Sequence, residues 1–407
     1  MLQVRDHAHA GPLRTRGMLD FVWQGLPSRV VMARGAALSL AAEADRLGMS
    51  RIMLVSGRRT AAAERVAAAI DALGSRVVVR FCDVPAHSGE DRVMEGVQAA
   101  RDSSVDGFLA IGGGSASDTA KAIAIVLAEG GSIADHANVF YPPDRYEQKI
   151  LSRPKLPIIA LPMTASAAEV TPGLGIRAHD GHKLVFWDPN IVPRTIVIDA
   201  ELCAGMPASV LCSTAMNAFA HCVEGLYSRV TNPISAAMAL HAARLLYDAL
   251  PAVAADPSDM DALAEVMAAA HLSGQVIANA RVGLHHAICH GLGAIGGLSH
   301  GDANAIMLPH VMRYNARVAS AELAMLAQAI GRSDRSTDQA AAAERAIKGV
   351  VQLQHAIGAP TRLRDAGFDR DLAGRIARKT LSDRGAYFNP IVAPPEVDIR
   401  ALIEAAW

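Results

Sequence analysis

From residue 21 to about residue 198, short runs rich in Val, Ile and Leu alternate with Ala-rich stretches whose apolar positions recur every three or four residues. The runs at 51–57 (RIMLVSG), 76–84 (RVVVRFCDV), 107–114 (GFLAIGGG), 157–163 (PIIALPM) and 194–199 (RTIVID) predict strands, and 60–73 predicts a helix between the first two. Strands that are apolar on both faces and separated by helical stretches predict a parallel sheet covered on both sides.

Beyond residue 202 the strand pattern stops. Ala, Leu, Met and His recur at helical spacing through 210–227, 233–250, 261–280 and 320–330, and polar stretches such as VAADPSDMD and GRSDRSTDQ read as turns between helices. The expected organisation is an N-terminal extension over 1–20, an α/β domain over 21–200 and an all-α domain over 201–407.

Composition narrows the function classes. A chain of 407 residues that is 51% hydrophobic and 19% charged buries substantial cores. Its net charge of −1, with Lys and Arg scattered, supplies no basic stripe for nucleic acid and no polybasic segment for a membrane surface. The expected partner is a small molecule or a second copy of the chain. The N-terminal stretch lacks the apolar core of a signal peptide, and no run of about 18 apolar residues follows. Five cysteines, odd in number and mostly set in apolar runs, read as buried thiols of a reducing compartment, so a cytoplasmic location is expected.

Two constellations carry candidate chemistry. The first is FLAIGGGSASDTAKAIAI at 108–125, a strand, a glycine cluster and a helix. Gly112, Gly113 and Gly114 let the backbone approach a ligand closely, and the N-terminus of the following helix, where Ser115 and Asp118 sit, favours a phosphate. The plainer reading is a tight turn with a helix cap, since the spacing is neither a dinucleotide fingerprint nor a Walker loop. The strand ending at Gly57 is followed by Arg58 and Arg59, which offer no carboxylate for a ribose 2′-hydroxyl and favour tolerance of a 2′-phosphate.

The second is histidine-rich. Four of the fifteen histidines fall within 284–300 (LHHAICHGLGAIGGLSH), where His286 and His290 are four apart and His300 follows a Gly-rich turn. Upstream, STAMNAFAHCVEGLY at 213–227 places Asn217 and His221 on one helical face. His221, His286 and His300 with Asn217 could face a divalent metal, although a neutral Asn is a poorer ligand than a carboxylate. The alternative needs no metal: the histidines bind a carboxylated substrate as cations and supply a proton to a carbonyl oxygen as hydride arrives. His285 and His310 are structural by default.

Taken together these segments resemble the iron-containing alcohol dehydrogenase superfamily and, within it, the maleylacetate reductases, over nearly the whole chain from residue 21. GGGS at 112–115 matches the superfamily's pyrophosphate loop, and its Asp-His-His-His metal set falls on Asn217, His221, His286 and His300. The reductase branch is indicated by MNAFAHCVEGLY, by GLHHAICHGLG at 283–293, by the length of PMTASAAE at 162–169, and by the ending NPIVAPPEVDIRALIEAAW. Departures are Asp118, DPNIVP at 188–193, and Ala165, Ala167 and Ala168 in place of the branch's Tyr, Gly and Ser.

The resemblance implies a dehydroquinate synthase-like fold, with the active site in the cleft between an α/β dinucleotide-binding domain and an all-α domain. It implies NADH or NADPH as cofactor, held by Gly113, Gly114, Ser115 and Asp118, with Thr164 and Lys183 nearer the nicotinamide and His290 beside the cofactor. His221, His286 and His300 would be the catalytic set lining the pocket of a short unsaturated oxo-dicarboxylic acid, maleylacetate first, in aromatic-compound degradation. A homodimer is expected. The competing expectation is an iron- or zinc-dependent alcohol dehydrogenase of an aldehyde or hydroxy acid, with metal on His221, His286, His300 and Asn217. A catalytically silent dinucleotide-sensing protein is the non-enzymatic one.

Overall fold

The computed structural model describes residues 21–86 and 88–407, so the extension expected over 1–20 lies outside the described residues. Six strands form one parallel sheet: β1 (Arg29–Met32), β2 (Ile52–Ser56), β3 (Val77–Phe81), β4 (Gly107–Gly112), β7 (Ile158–Pro162) and β10 (Thr195–Ile198). They lie in the order β1-β10-β7-β4-β2-β3. Every residue of β2, β7 and β10 is buried, as expected of strands covered on both faces. Met53, Val55, Phe108 and Ala110 enter the core on one face, and Ile52, Leu54, Leu109 and Ile111 the core on the other.

The helices of this half are α1 (Leu40–Arg46), α2 (Arg58–Ala61), α3 (Glu64–Asp71), α4 (Glu90–Asp102) and α5 (Gly114–Glu129). The single helix expected over 60–73 is broken: Ala63 is extended (φ −67°, ψ 131°), and residues 62–65 are exposed, so no buried face holds that turn together. Two antiparallel hairpins, β5 (Val139–Tyr141) with β6 (Arg145–Glu147) and β8 (Gly173–Arg177) with β9 (Lys183–Trp187), depart from the expected alternation of strand and helix. In β9 buried and more exposed residues alternate, the pattern of a strand with one wet face.

After β10 every regular element is helical: α6 (Ala200–Cys203), α7 (Ala208–Tyr227), α8 (Pro233–Ala255), α9 (Met260–Ala280), α10 (Leu284–Ala294), α11 (His300–Ala329), α12 (Gln339–Ala356), α13 (Ala373–Thr380) and α14 (Glu396–Ala405). Only the end of α11 was expected, at 320–330. Its first twenty residues open on polar HGDAN, contain Pro309 and run into the non-helical Ala319, which hides the helical period. Buried side chains of α7, α8, α9, α11 and α12 share one core, which also takes Ala165, Ala167 and Val170 from the loop after β7. Among the described residues no helix is long and apolar enough to cross a membrane.

The topology places the first candidate site. The chain leaves β2 for β3 on one side and β4 for β7 on the other, and open α/β sheets bind ligands at the carboxyl ends of strands flanking such a reversal. Ser56 Oγ donates to Ile111 O at 2.8 Å and ties the two strand ends together there.

Candidate active site

At that switch point Gly112 adopts φ 139°, a conformation open to glycine, and α5 begins without any side-chain cap on its first amides. A Cβ on Gly113 would lie 3.2 Å from Thr164 Oγ1, and one on Gly114 would lie 3.2 Å from the Ala168 Cβ and 3.4 Å from Ser166 Oγ. The glycines therefore press against the 163–169 loop with no room for side chains. Thr164 Oγ1 is buried without a hydrogen-bond partner, a polar atom awaiting one at the mouth of this cradle. Uncapped helix amides, glycines and an orphan hydroxyl fit the phosphates of a dinucleotide. Lys121, fully buried on α5, stiffens the cradle by donating to Ala168 O (2.6 Å), Thr171 O (2.7 Å) and Gly173 O (3.2 Å). Asp118, grouped with the phosphate loop by sequence, sits in the second turn of α5 and accepts the Gly175 amide at 3.1 Å, so it also anchors β8.

The histidine cluster is built by three helices. Asn217 and His221 come from α7, His285, His286 and His290 from α10, and His300 is the first residue of α11, whose cap is Ser299 Oγ accepting from the Asp302 amide. The rings of His221 and His286 stack with centroids 4.9 Å apart, His286 and His300 lie 5.7 Å apart, and His290 and His300 stack at 5.7 Å. Thus the four histidines singled out by sequence are brought together, with Asn217 Oδ1 3.0 Å from His286 Nε2.

Glu224 organises the cluster, and sequence reasoning gave it no role. It is fully buried on α7, and its Oε1 accepts the His285 amide (2.9 Å) and the His286 amide (3.4 Å), capping α10. Its Oε2 accepts from His286 Nδ1, and its carboxyl is held below the usual range by the two histidines although burial opposes this. The available signal was spacing: Glu224 lies seven residues after Asn217 and three after His221, on one helical face of an otherwise apolar run. Asp383 accepts from His290 Nδ1 at 2.7 Å, and against the cost of burial its pKa is lowered to about 2 by the His290 contact, the Gly385 amide and Lys183. It lies 93 residues along the chain, where no local pattern announces it. Ser273 Oγ donates to Ala270 O (2.8 Å) and therefore accepts from His221 Nδ1 (3.3 Å), which leaves the lone pair of His221 on Nε2.

Burial bears on the charge expected of the histidines. Burial lowers the pKa of His286 to about 4 and pushes His221 and His300 well below the ordinary histidine value, with neighbouring histidines adding to the effect. Burial thus weighs against the charged form of all three rings. Permanent positive charge comes from elsewhere. Lys183 on β9 acts on His300 and on Asp383, so it sits by the histidines. Arg281 stacks over Trp187 at 3.8 Å, and Arg384 over Tyr146 at 3.5 Å.

Fit to iron is poor in charge and in commitment of donors. Three imidazoles and a carboxamide form a neutral donor set, poorer for iron than one that includes a carboxylate. The nearby carboxylate, Glu224, already has both oxygens on the α10 amides and the His286 ring. Among the described residues, the trio whose ligand atoms come within 4.8 Å of one another is Glu224, His285 and His286, and its members are bonded to each other or to the backbone. The residues do not fit a tightly held iron.

Residues 27–200 match the sequence family described as iron-containing alcohol dehydrogenase, and residues 211–407 match its C-terminal region. The chain belongs to the iron-containing alcohol dehydrogenase family. It is 30% identical over 394 residues to maleylacetate reductase of Rhizobium sp. (strain MTP-10005), covering 96% of this chain and 98% of that protein. It is also 32% identical over 379 residues to lactaldehyde reductase of Escherichia coli (strain K12), covering 92% and 96%. The crystal structure of a 1,3-propanediol oxidoreductase superposes with a TM-score of 0.89 at 28% identity, over 96% of this chain and all of that one. As a member of the family the protein is an NAD(P)-dependent oxidoreductase that pairs an α/β domain with a helical one.

Proposed function

We propose that this member of the family is a metal-independent reductase of a short unsaturated oxo-dicarboxylic acid, of the maleylacetate to 3-oxoadipate type. The observation that carries the reading is the pairing of Asn217 Oδ1 with His286 Nε2 at 3.0 Å, a neutral carboxamide where a metal site wants a carboxylate. Similarity to maleylacetate reductases at about 30% identity supports the reaction class, while lactaldehyde reductase stands at comparable identity and leaves the substrate to experiment.

Gly113, Gly114, Ser115 and Thr164 would hold the pyrophosphate of NADH or NADPH, with His290 and Lys183 towards the nicotinamide. A reduced nicotinamide bound there supplies hydride. In an oxo-enoic acid hydride adds to the alkene carbon β to the oxo group, the electron pair moves to the oxo oxygen, and one proton completes the saturated product. His286 would hold that proton. Its Nδ1 donates to Glu224 and its Nε2 faces Asn217 Oδ1, so a proton taken up at Nε2 would find an acceptor there. An arriving dianion raises the pKa of the ring, so the proton is taken up as substrate binds.

Steady-state oxidation of NADH and of NADPH with maleylacetate, beside lactaldehyde and 1,3-propanediol oxidation, tests the assignment. We expect kcat/KM for maleylacetate to exceed that for the aldehyde and the diol by at least about 100-fold, since a site built for paired charges rejects analogues that leave them unpaired. Comparable or greater efficiency on the aldehyde or the diol would transfer the enzyme to the alcohol dehydrogenases.

A further inference from the structure

Arg281 follows α9 with φ 65° and ψ 169°, a backbone region that side-chain-bearing residues rarely adopt, and its guanidinium lies 3.8 Å over the Trp187 ring. Arg384 lies 3.5 Å over Tyr146 and 5.1 Å over Phe388. Each arginine's charge acts against the other: burial, then Arg384, lowers the pKa of Arg281 to about 10, so both remain cations at neutral pH. Among the described residues no carboxylate forms an ion pair with Arg281; the groups acting on it are Arg384 and Tyr146.

Both arginines are attached to segments that close the histidine cluster. Arg384 follows Asp383, the partner of His290. Arg281 is two residues before Gly283, where a Cβ would lie 2.9 Å from Glu224 Oε1. Trp187 ends the strand that begins with Lys183, whose charge reaches His300. Two half-buried guanidiniums stacked on aromatic rings, on segments that also carry Asp383 and Gly283, make a receptor for a planar anion, because guanidinium and carboxylate meet in a bidentate fork.

We propose that Arg281 and Arg384 bind the carboxylate of the substrate remote from the reacting carbon and set the specificity for a dicarboxylic acid. This rests on the reductase reading, which requires a cationic group at each end of a dicarboxylate substrate. The arginines anchor one end, and Lys183, beside the histidines, receives the other.

The probe is adipate, a six-carbon dicarboxylate that the enzyme cannot reduce, titrated calorimetrically into enzyme loaded with the reduced cofactor. The variants are Arg281→Gly, which tolerates φ 65° without strain, and Arg384→Gln. Each should weaken adipate by about 10-fold or more, the range for losing a charged hydrogen-bond partner, with cofactor affinity unchanged. Retained cofactor affinity also shows that the variants are folded. Undiminished adipate binding in both variants overturns the proposal, as does a wild type that does not bind adipate. So does a parallel loss of cofactor affinity, which would put the arginines on the cofactor phosphates. If the wild type binds adipate through both arginines yet reduces no oxo-dicarboxylate, this inference stands and the assigned reaction falls.

Discussion

Glu224 shows how one buried carboxylate can set the state of a catalytic ring. By capping α10 and accepting from His286 Nδ1, it fixes which nitrogen of that ring faces the pocket. His286→Ala should lower kcat by about 100-fold or more, the lower end of the general-acid range, with cofactor affinity kept. Glu224→Gln should lower kcat by about 10-fold or more while leaving the ring in place, because a carboxamide can present a donor to Nδ1 and favour the wrong tautomer. Stopped-flow hydride transfer on both variants checks this, and wild-type rates in either would remove His286 as proton holder. Arg281 is the other residue that departs from the local rules. Its backbone geometry costs on the order of 1–3 kcal/mol, which is retained only where surrounding packing and function hold it.

Elements differed in how plainly they were written. The buried strands β2, β4, β7 and β10 are unbroken apolar runs bounded by turn residues, and the helices α7, α8 and α9 carry the helical period over most of their length, so the sequence pattern finds them. The β8–β9 hairpin and the front of α11 do not, because one is half-solvated and the other is interrupted by Pro309 and Ala319. The site divides in the same way. Asn217 with His221 and His286 with His290 stand out by spacing within single helices, and His300 by its nearness in sequence, whereas Asp383 meets the cluster only through tertiary folding across about ninety residues. What also escaped the sequence is the protonation of the rings, since burial and neighbours decide it.

That burial has a measurable consequence for the helical half. His271 on α9 has its pKa lowered to about 4 by burial, as His286 does. Between about pH 6.5 and 4 the unfolded chain binds more protons at these sites than the folded one, so their contribution is complete above pH 6.5 and is lost as the pH falls towards 4. Glu169, raised to about 7 mainly by burial, acts in the opposite sense, so total stability is not the clean readout. The difference in Tm between wild type and His271→Gln is cleaner. We expect the wild type to lose more Tm than the variant on going from pH 7 to pH 4.5, and parallel curves would contradict the shift.

At the scale of the whole molecule, among the described residues β1 pairs only with β10, and its outer edge carries Val30 and Met32 at 41% and 42% exposure. An open edge with apolar residues invites pairing, and the homodimer proposed for this family member would cover it. Light scattering should give about twice the 42.7 kDa of one chain, and Met32→Lys should shift the particle towards the monomer. A monomer at micromolar concentration would contradict the dimer.

The central claim is that the histidine pocket of this iron-containing alcohol dehydrogenase relative works without iron, because Asn217 stands where a carboxylate would be needed. Elemental analysis of the purified protein, combined with NAD(P)H oxidation on maleylacetate before and after exhaustive chelation, tests it most directly. The expected result is a substoichiometric metal content and a turnover that chelation leaves intact. One metal per chain, with activity abolished by the chelator and restored by iron or zinc, would show that His221, His286 and His300 suffice as ligands and would contradict the account.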